Sequence, residues 1–366
     1  MSAGTNIFYK RFFKVFTDFS SLLILVAVLA FFTIVNFFYG NNFLTMSNIS
    51  VIVNQSCFLT VIGIAQALVI LTGGVNLSIG SVMAFTTVMW GRMLMNTKGQ
   101  VHYLIPVLLI ILTGMLIGLV NGFLITRLKM PPFIATFAVM YACRGMAWVA
   151  LGKKVIYNLS PAFRYWGTGN IANINGFMFT IPMVIVLILL VLTSFILKRT
   201  TLGRNIYFTG ANPMAANFSG IPTNRILILV YVLSTALAAF AGLLYGARLN
   251  SFEPGMATRA HFEAITVALI GGLAMSGGFG NIWGVLCGAV IVSAIYNGMN
   301  TLSVASELQT LVMGSMIILT VAFNQLLVRW NMNLRNELDD DEEQNDKRAN
   351  NTESHSLCED RQTNAN

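Results

Sequence analysis

The sequence predicts an all-α, polytopic integral membrane protein of about ten transmembrane helices with two Gly-interrupted segments, and three observations carry that prediction. Of 366 residues, 56% are hydrophobic and only 10% charged, and the mean hydropathy is +0.72, beyond what water-soluble domains show. Apolar stretches of ~20 residues, the length that crosses a bilayer, recur along the chain. The acids are partitioned: only Asp18, Glu253, Glu263 and Glu307 precede Trp330. A body poor in carboxylates and rich in Lys and Arg suits an anionic membrane surface, not a nucleic acid.

Residues 1–20 form a basic N-terminal segment, and the transmembrane body runs from 21 to 328. Helices are expected at 21–38, 57–72, 79–95, 103–125, 132–151, 178–197, 226–247, 262–275, 282–301 and 308–328. With ten spans, Lys10, Arg11, Lys14, Arg127, Lys129, Lys198, Arg199, Arg204, Arg225, Arg329 and Arg335 share one side. The other side receives Arg92, Lys98, Lys153, Lys154, Arg164, Arg248 and Arg259. This excess puts both termini in the cytoplasm. The acidic stretch 329–366 has almost no aromatic residues and is expected to be a disordered cytoplasmic tail. Cys57, Cys143 and Cys287 lie in apolar runs, with no metal or disulfide spacing.

The run from Thr72 through Gly73, Gly74, Asn76, Ser78 and Gly80 interrupts an apolar stretch with residues that end one helix and cap the next. A second run, with Gly271, Gly272, Gly277, Gly278 and Gly280, is its natural partner. Asn121-Gly122 follows the first run and Asn297-Gly298 the second, a faint internal repeat. Broken helices in a bilayer line solute pathways or are satisfied by packed protein, and glycines equally serve close helix packing. Both readings stay open.

Between Lys198 and Arg225 lies a hydrophilic loop in which residues 212–220 read as a short helix. Asn212 caps it, Pro213 suits its first turn and Gly220 ends it. Met214 and Phe218, four residues apart, share a face beside Ala215, an apolar knob that wants a protein partner or a membrane surface. Arg144, inside an apolar run, costs about 2.5–3.5 kcal/mol at a helix centre and must face protein or a wet cavity. Glu263, near a helix start, is either a cap or a pathway residue. Trp90, Tyr103, Trp148, Tyr157, Trp166 and Trp283 suit interface anchoring, with stacking on sugar rings as the rarer use.

From about Leu44 to Leu327 the chain resembles the ribose, xylose and related monosaccharide branch of bacterial ABC importer permeases. The matching stretches are residues 73–81, Val120-Asn121-Gly122 leading into 131–136, and Thr201-Leu202-Gly203-Arg204 through Ser219-Gly220-Ile221. Glu263-Ala264-Ile265, Gly271-Gly272, Gly277-Gly278 and Asn297-Gly298 follow in order. The resemblance implies a cytoplasmic ABC ATPase subunit, a periplasmic solute-binding protein and a second permease subunit, all in or at the bacterial inner membrane. It implies no cofactor in this chain, ATP being bound by the partner. The coupling segment would comprise Gly203, Arg204, Asn212, Met214, Ala215, Ala216, Phe218 and Gly220. The translocation pathway would comprise Gly73, Gly74, Asn76, Ser78, Gly80, Asn121, Arg144, Glu263, Gly271, Gly272 and Asn297. Two departures stand out: Asn76 where the family usually has Asp, and Met214 where Glu is common.

No phosphate-cradling loop occurs, and His102, His261 and His355 have no metal-ligand spacing. Energy must enter from another chain or from an ion gradient. The alternative to an ABC permease subunit is an ion-gradient-driven secondary transporter of a small polar solute, disfavoured by the scarcity of intramembrane carboxylates. A membrane enzyme lacks any nucleophile, acid pair or metal cluster to support it.

Overall fold

A computed structural model describes residues 22–40, 42–95, 102–174 and 176–322. The segment 1–20 and the tail 329–366 lie outside the described residues. One compact unit ends at Ile317, and the described residues beyond it continue the last helix.

Helices occupy all ten apolar stretches. They are α1 Leu22–Phe38, α2 Met46–Leu71, α3 Ile79–Trp90, α4 Leu104–Thr126, α5 Pro132–Leu151, α7 Ile181–Arg199, α10 Thr223–Leu249, α11 Ala260–Ile270, α12 Ile282–Thr301 and α13 Ser306–Ala322. Six of them, α2, α4, α5, α7, α10 and α12, are long and apolar enough to cross a membrane. The other four are shorter, and α3 runs into a 3₁₀ turn, Gly91–Leu94.

Helix α2 starts well before the expected residue 57 because its polar first half bonds back onto the helix. Asn54 Nδ2 donates to the Ser50 carbonyl at 2.9 Å and Ser56 Oγ to that of Val53 at 2.7 Å, so hydrophilicity there does not break the backbone ladder. Thr45 caps the start, accepting from the Asn48 amide at 3.2 Å.

Four short strands depart from a purely helical chain. β1 (Ile156–Tyr157) pairs antiparallel with β4 (Ser251–Phe252), and β2 (Asn170–Ile174) with β3 (Phe177–Thr180). The hairpin's sequence signal is Asn175-Gly176 between two apolar runs. Helix α6 (Pro161–Thr168) precedes it, capped by the Ser160 hydroxyl. The hairpin rests on the N-terminal half of α2: Ser50 Oγ accepts from the Met178 amide at 3.0 Å, and Thr180 donates to Asn54.

Two more helices fill the hydrophilic 198–225 connection: α8 (Thr201–Ala211) and α9 (Pro213–Phe218). Helix α2 is the central post, with its N-terminal end at the hairpin and its C-terminal end at α8. Its 26 residues span about 39 Å at 1.5 Å per residue.

Helices α4 and α10 pack closely along their length. Gly114, Gly118 and Gly122 recur every fourth residue along α4, and a methyl group on Gly118 would lie 2.5 Å from the Val232 Cα. Backbones meet there as in small-xxx-small membrane pairs. Elsewhere Phe32, Phe43, Ile52, Ile291, Ile295 and Met299 bind α1, α2 and α12 into a core cluster. The outer faces of α4 and α7 expose Leu108, Leu112, Leu116, Leu187, Ile188 and Phe195, an apolar belt suited to lipid.

Candidate functional site

Helix α2 ends at Leu71 and α3 begins at Ile79, so residues 72–78 are non-helical backbone, buried in protein except at Gly73 and, in part, Val75. Such backbone must have its polar groups satisfied, and a chain of side chains does this. Asn121 Nδ2 of α4 donates to Ser78 Oγ (3.1 Å), which donates to Asn76 Oδ1 (2.7 Å); that oxygen also accepts the Ser78 amide (3.0 Å). Asn76 Nδ2 donates to Ser234 Oγ of α10 at 2.9 Å. Thr136 of α5 accepts from the Leu77 amide at 3.2 Å. Asn76, Ser78, Asn121 and Ser234 are all fully buried. In this conformation they join the 72–78 segment to α4 and α10.

Replacing Asn76 by Leu removes the partner of both Ser78 groups and of Ser234, at about 1–3 kcal/mol per buried group left unmade. The thermal midpoint of Asn76→Leu in detergent is expected to fall by several degrees. Asn76→Asp, which keeps both acceptor bonds from Ser78, should fall less. Equal midpoints for wild type and Asn76→Leu would refute this role.

The second glycine stretch meets the first at the backbone. The Gly278 amide donates to the Leu71 carbonyl at 2.9 Å. Gly73 and Gly277 both have positive φ, +77° and +83°, and a methyl on Gly277 would lie 2.7 Å from the Gly73 nitrogen. Wedged against both is the end of α8: a methyl on Gly210 would lie 1.8 Å from the Leu71 oxygen and 2.7 Å from the Gly278 nitrogen. Tyr207 of α8 adds a hydroxyl donating to the Gly280 carbonyl at 2.8 Å. Burial pushes that phenol above its ordinary value, so it remains a neutral donor. The sequence paired the two stretches but did not foresee that α8 joins them; Gly210 and Tyr207 were missed.

The remaining expected residues lie in separate surroundings. Gly74 faces the Tyr231 hydroxyl, and Gly80 receives the Ala257 carbonyl of the loop after β4. Arg144 ties down that same loop, donating from Nη1 to the carbonyls of Pro254 (2.5 Å) and Met256 (2.8 Å). Gly271 packs against Gly284 at the α11–α12 crossing, while Gly272 (φ +85°) has open space around it. Glu263 accepts from the Tyr296 hydroxyl at 2.9 Å. Asn297 is buried, and its Oδ1 has no hydrogen-bond partner among the described residues.

Helix α9 forms as the sequence indicates: Asn212 Oδ1 accepts from the amides of Met214 (3.1 Å) and Ala215 (3.0 Å), Pro213 opens the helix, and Gly220 (φ +81°) leaves it. Ala216 alone of its residues is buried. Met214 and Phe218 are 71% and 86% exposed, with Ala215 exposed between them. In α8, Gly203 is buried in the tight turn from α7, and Arg204 is exposed. Among the described residues no cluster of His, Cys, Asp and Glu is placed to hold a metal ion.

Comparison with known proteins gives this geometry a context. The family described as branched-chain amino acid transport system / permease component matches residues 48–321. The chain is 32% identical to the fructose import permease protein of Rhizobium meliloti, over 83% of this chain and 84% of that one. It is likewise 32% identical to the ribose import permease protein of Escherichia coli K12, over 87% and 96%, and 33% identical to that of Bacillus subtilis, over 78% and 86%. No solved structure matches the chain. With six helices long and apolar enough to cross a membrane and a family match across most of its length, the chain belongs to the family described as branched-chain amino acid transport system / permease component and is a multi-pass membrane transport protein.

Proposed function

We propose that this chain is the translocation subunit of an ATP-driven importer for a monosaccharide or sugar-like solute in a bacterial inner membrane. The observation that carries this reading is the near full-length similarity to import permeases for ribose and fructose. The helices at the ten apolar stretches support ten crossings, the short α3 and α11 each adjoining a glycine stretch; the excess of Lys and Arg on one side of such a layout favours cytoplasmic termini. A periplasmic binding protein delivers the solute, a second permease subunit completes the pathway, and ATP is bound by a cytoplasmic ATPase partner.

The knob on α9 docks on that ATPase through Met214, Ala215 and Phe218, with Asn212, Ala216 and Gly220 holding its shape. Gly203 and Arg204 belong to the same docking element. Movement passes through α8 to the two glycine stretches, and the pathway residues are Gly73, Gly74, Asn76, Ser78, Gly80, Asn121, Arg144, Glu263, Gly271, Gly272 and Asn297. Because the network around Asn76 is closed in this conformation, opening requires the segments it joins to separate.

The test is uptake of labelled D-ribose and D-fructose by cells carrying this chain with and without its ATPase and binding protein. Uptake should require all three and survive a protonophore at constant ATP. Concentrative uptake by the chain alone, or its collapse with the protonophore, would overturn the proposal in favour of an ion-gradient-driven transporter.

A further inference from the structure

The end of α2 remote from α8 carries a second surface. The β2–β3 hairpin lies over the first turn of α2, where a methyl on Gly176 would stand 3.8 Å from the Met46 Cβ. Helix α6 lies against the last turn of α10, where a methyl on Gly167 would stand 2.6 Å from the Ala247 Cβ. The segment between α5 and α6 is tied to the same end: the Leu159 amide donates to Asn250 Oδ1 at 3.0 Å, and the Ser160 amide to the Leu94 carbonyl at 2.8 Å. A two-stranded hairpin has open edges that lipid cannot satisfy, so this end of the body faces water.

The surface is cationic. Lys153, Lys154 and Arg164 are exposed, and no Asp or Glu occurs from Gly152 to Thr180. The pairing of β1 with β4 brings one exposed acid, Glu253, to its border. In a ten-crossing layout these cations lie on the non-cytoplasmic side, where keeping Lys and Arg runs against the usual bias. The surface is also apolar in places: Tyr157 is 66% exposed, and Ile171 and Ile174 57% each. Apolar anchors beside charges of one sign have the composition of a docking surface, the charges steering a partner of opposite sign. On the importer reading above, we infer that this surface docks an acidic face of the solute-binding protein. Lys153, Lys154 and Arg164 meet its carboxylates, and Tyr157, Ile171 and Ile174 make the apolar contacts.

The experiment is equilibrium binding of the solute-loaded binding protein used in the uptake assay to the full-length chain with its ATPase, in phosphatidylcholine nanodiscs. Saturable binding that weakens with added salt is expected. The double change Lys153→Glu with Lys154→Glu, and separately Arg164→Glu, should each weaken it about tenfold or more, because reversal replaces attraction with repulsion. Lys153→Arg with Lys154→Arg should retain it. ATPase co-purification and the thermal midpoint should stay at wild-type values in all three, since the side chains are exposed. No saturable binding by the unmodified complex, or wild-type affinity in both charge-reversed variants, would overturn the assignment. So would native mass spectrometry showing that charge reversal expels bound phosphatidylglycerol and leaves protein affinity unchanged, which would give these cations to lipid headgroups. If uptake requires the binding protein but not these cations, this surface falls while the importer reading stands. Uptake that needs no binding protein would remove the importer reading itself.

Discussion

Gly210→Val is expected to abolish solute uptake. Even the first carbon of a side chain at this position would stand 1.8 Å from the Leu71 oxygen and 2.7 Å from the Gly278 nitrogen. Both are backbone atoms, so no rotamer change relieves the clash, and either α8 must withdraw or the two glycine stretches must part. Overpacking of this kind costs about 1–3 kcal/mol or more, and here the damage falls on the contact that joins the three elements. The measurements are thermal midpoint, protease sensitivity of the 198–225 connection, and uptake. A fall in midpoint and uptake together with increased cleavage is expected, with Gly210→Ala showing the same changes in smaller measure. Wild-type uptake and midpoint in Gly210→Val would show that the contact is not tight in the working protein.

Phe218→Glu should behave in the opposite manner, leaving the fold intact and removing function. The ring is 86% exposed, so this chain gains little from it, yet a bare phenyl group on a capped helix is costly to leave in water. If it anchors the ATPase, replacing it with a charge costs at least the ~2 kcal/mol typical of an interface hot spot, about a 30-fold loss in affinity at 1.4 kcal/mol per tenfold. The expected result is an unchanged thermal midpoint with loss of ATPase co-purification and of uptake. Gly220→Pro serves as a companion, because proline's φ near −65° cannot meet the observed +81°. Unimpaired co-purification and uptake in both variants would sink the coupling role of α9.

Much of this was legible in the sequence because its signals are local. Hydropathy located the apolar helices, and the bounds of α5 and α12 agree with expectation to the residue. Asn212, Pro213 and Gly220 wrote out the start and end of α9. Where polar side chains sit on a helix the signal failed. Asn48, Ser50, Asn54 and Ser56 masked the first half of α2, and a hydrophilic average masked α8. Yet Gly203, Ile206 and Gly210 recur on one buried face of α8, and Thr200 caps it, accepting from the Gly203 amide at 3.3 Å. The Gly114, Gly118, Gly122 series was a readable sign of close packing that hydropathy overlooks. The convergence of Leu71, Gly210 and Gly278 was not readable at all, because residues so far apart in sequence meet only once the whole body is assembled. The site residues divide in the same way. The polar caps of the first glycine stretch were found, while the partners that seal them, Ser234 and Thr136, come from helices whose local pattern says nothing about position 76.

The meeting of α8 with the Leu71 and Gly278 backbones has a mechanical consequence for coupling. A long side chain at such a joint would act as a spring, swinging between rotamers and soaking up part of any small displacement. Glycine offers no such slack, so on the proposed coupling role a displacement of α8 is passed directly to both interrupted segments.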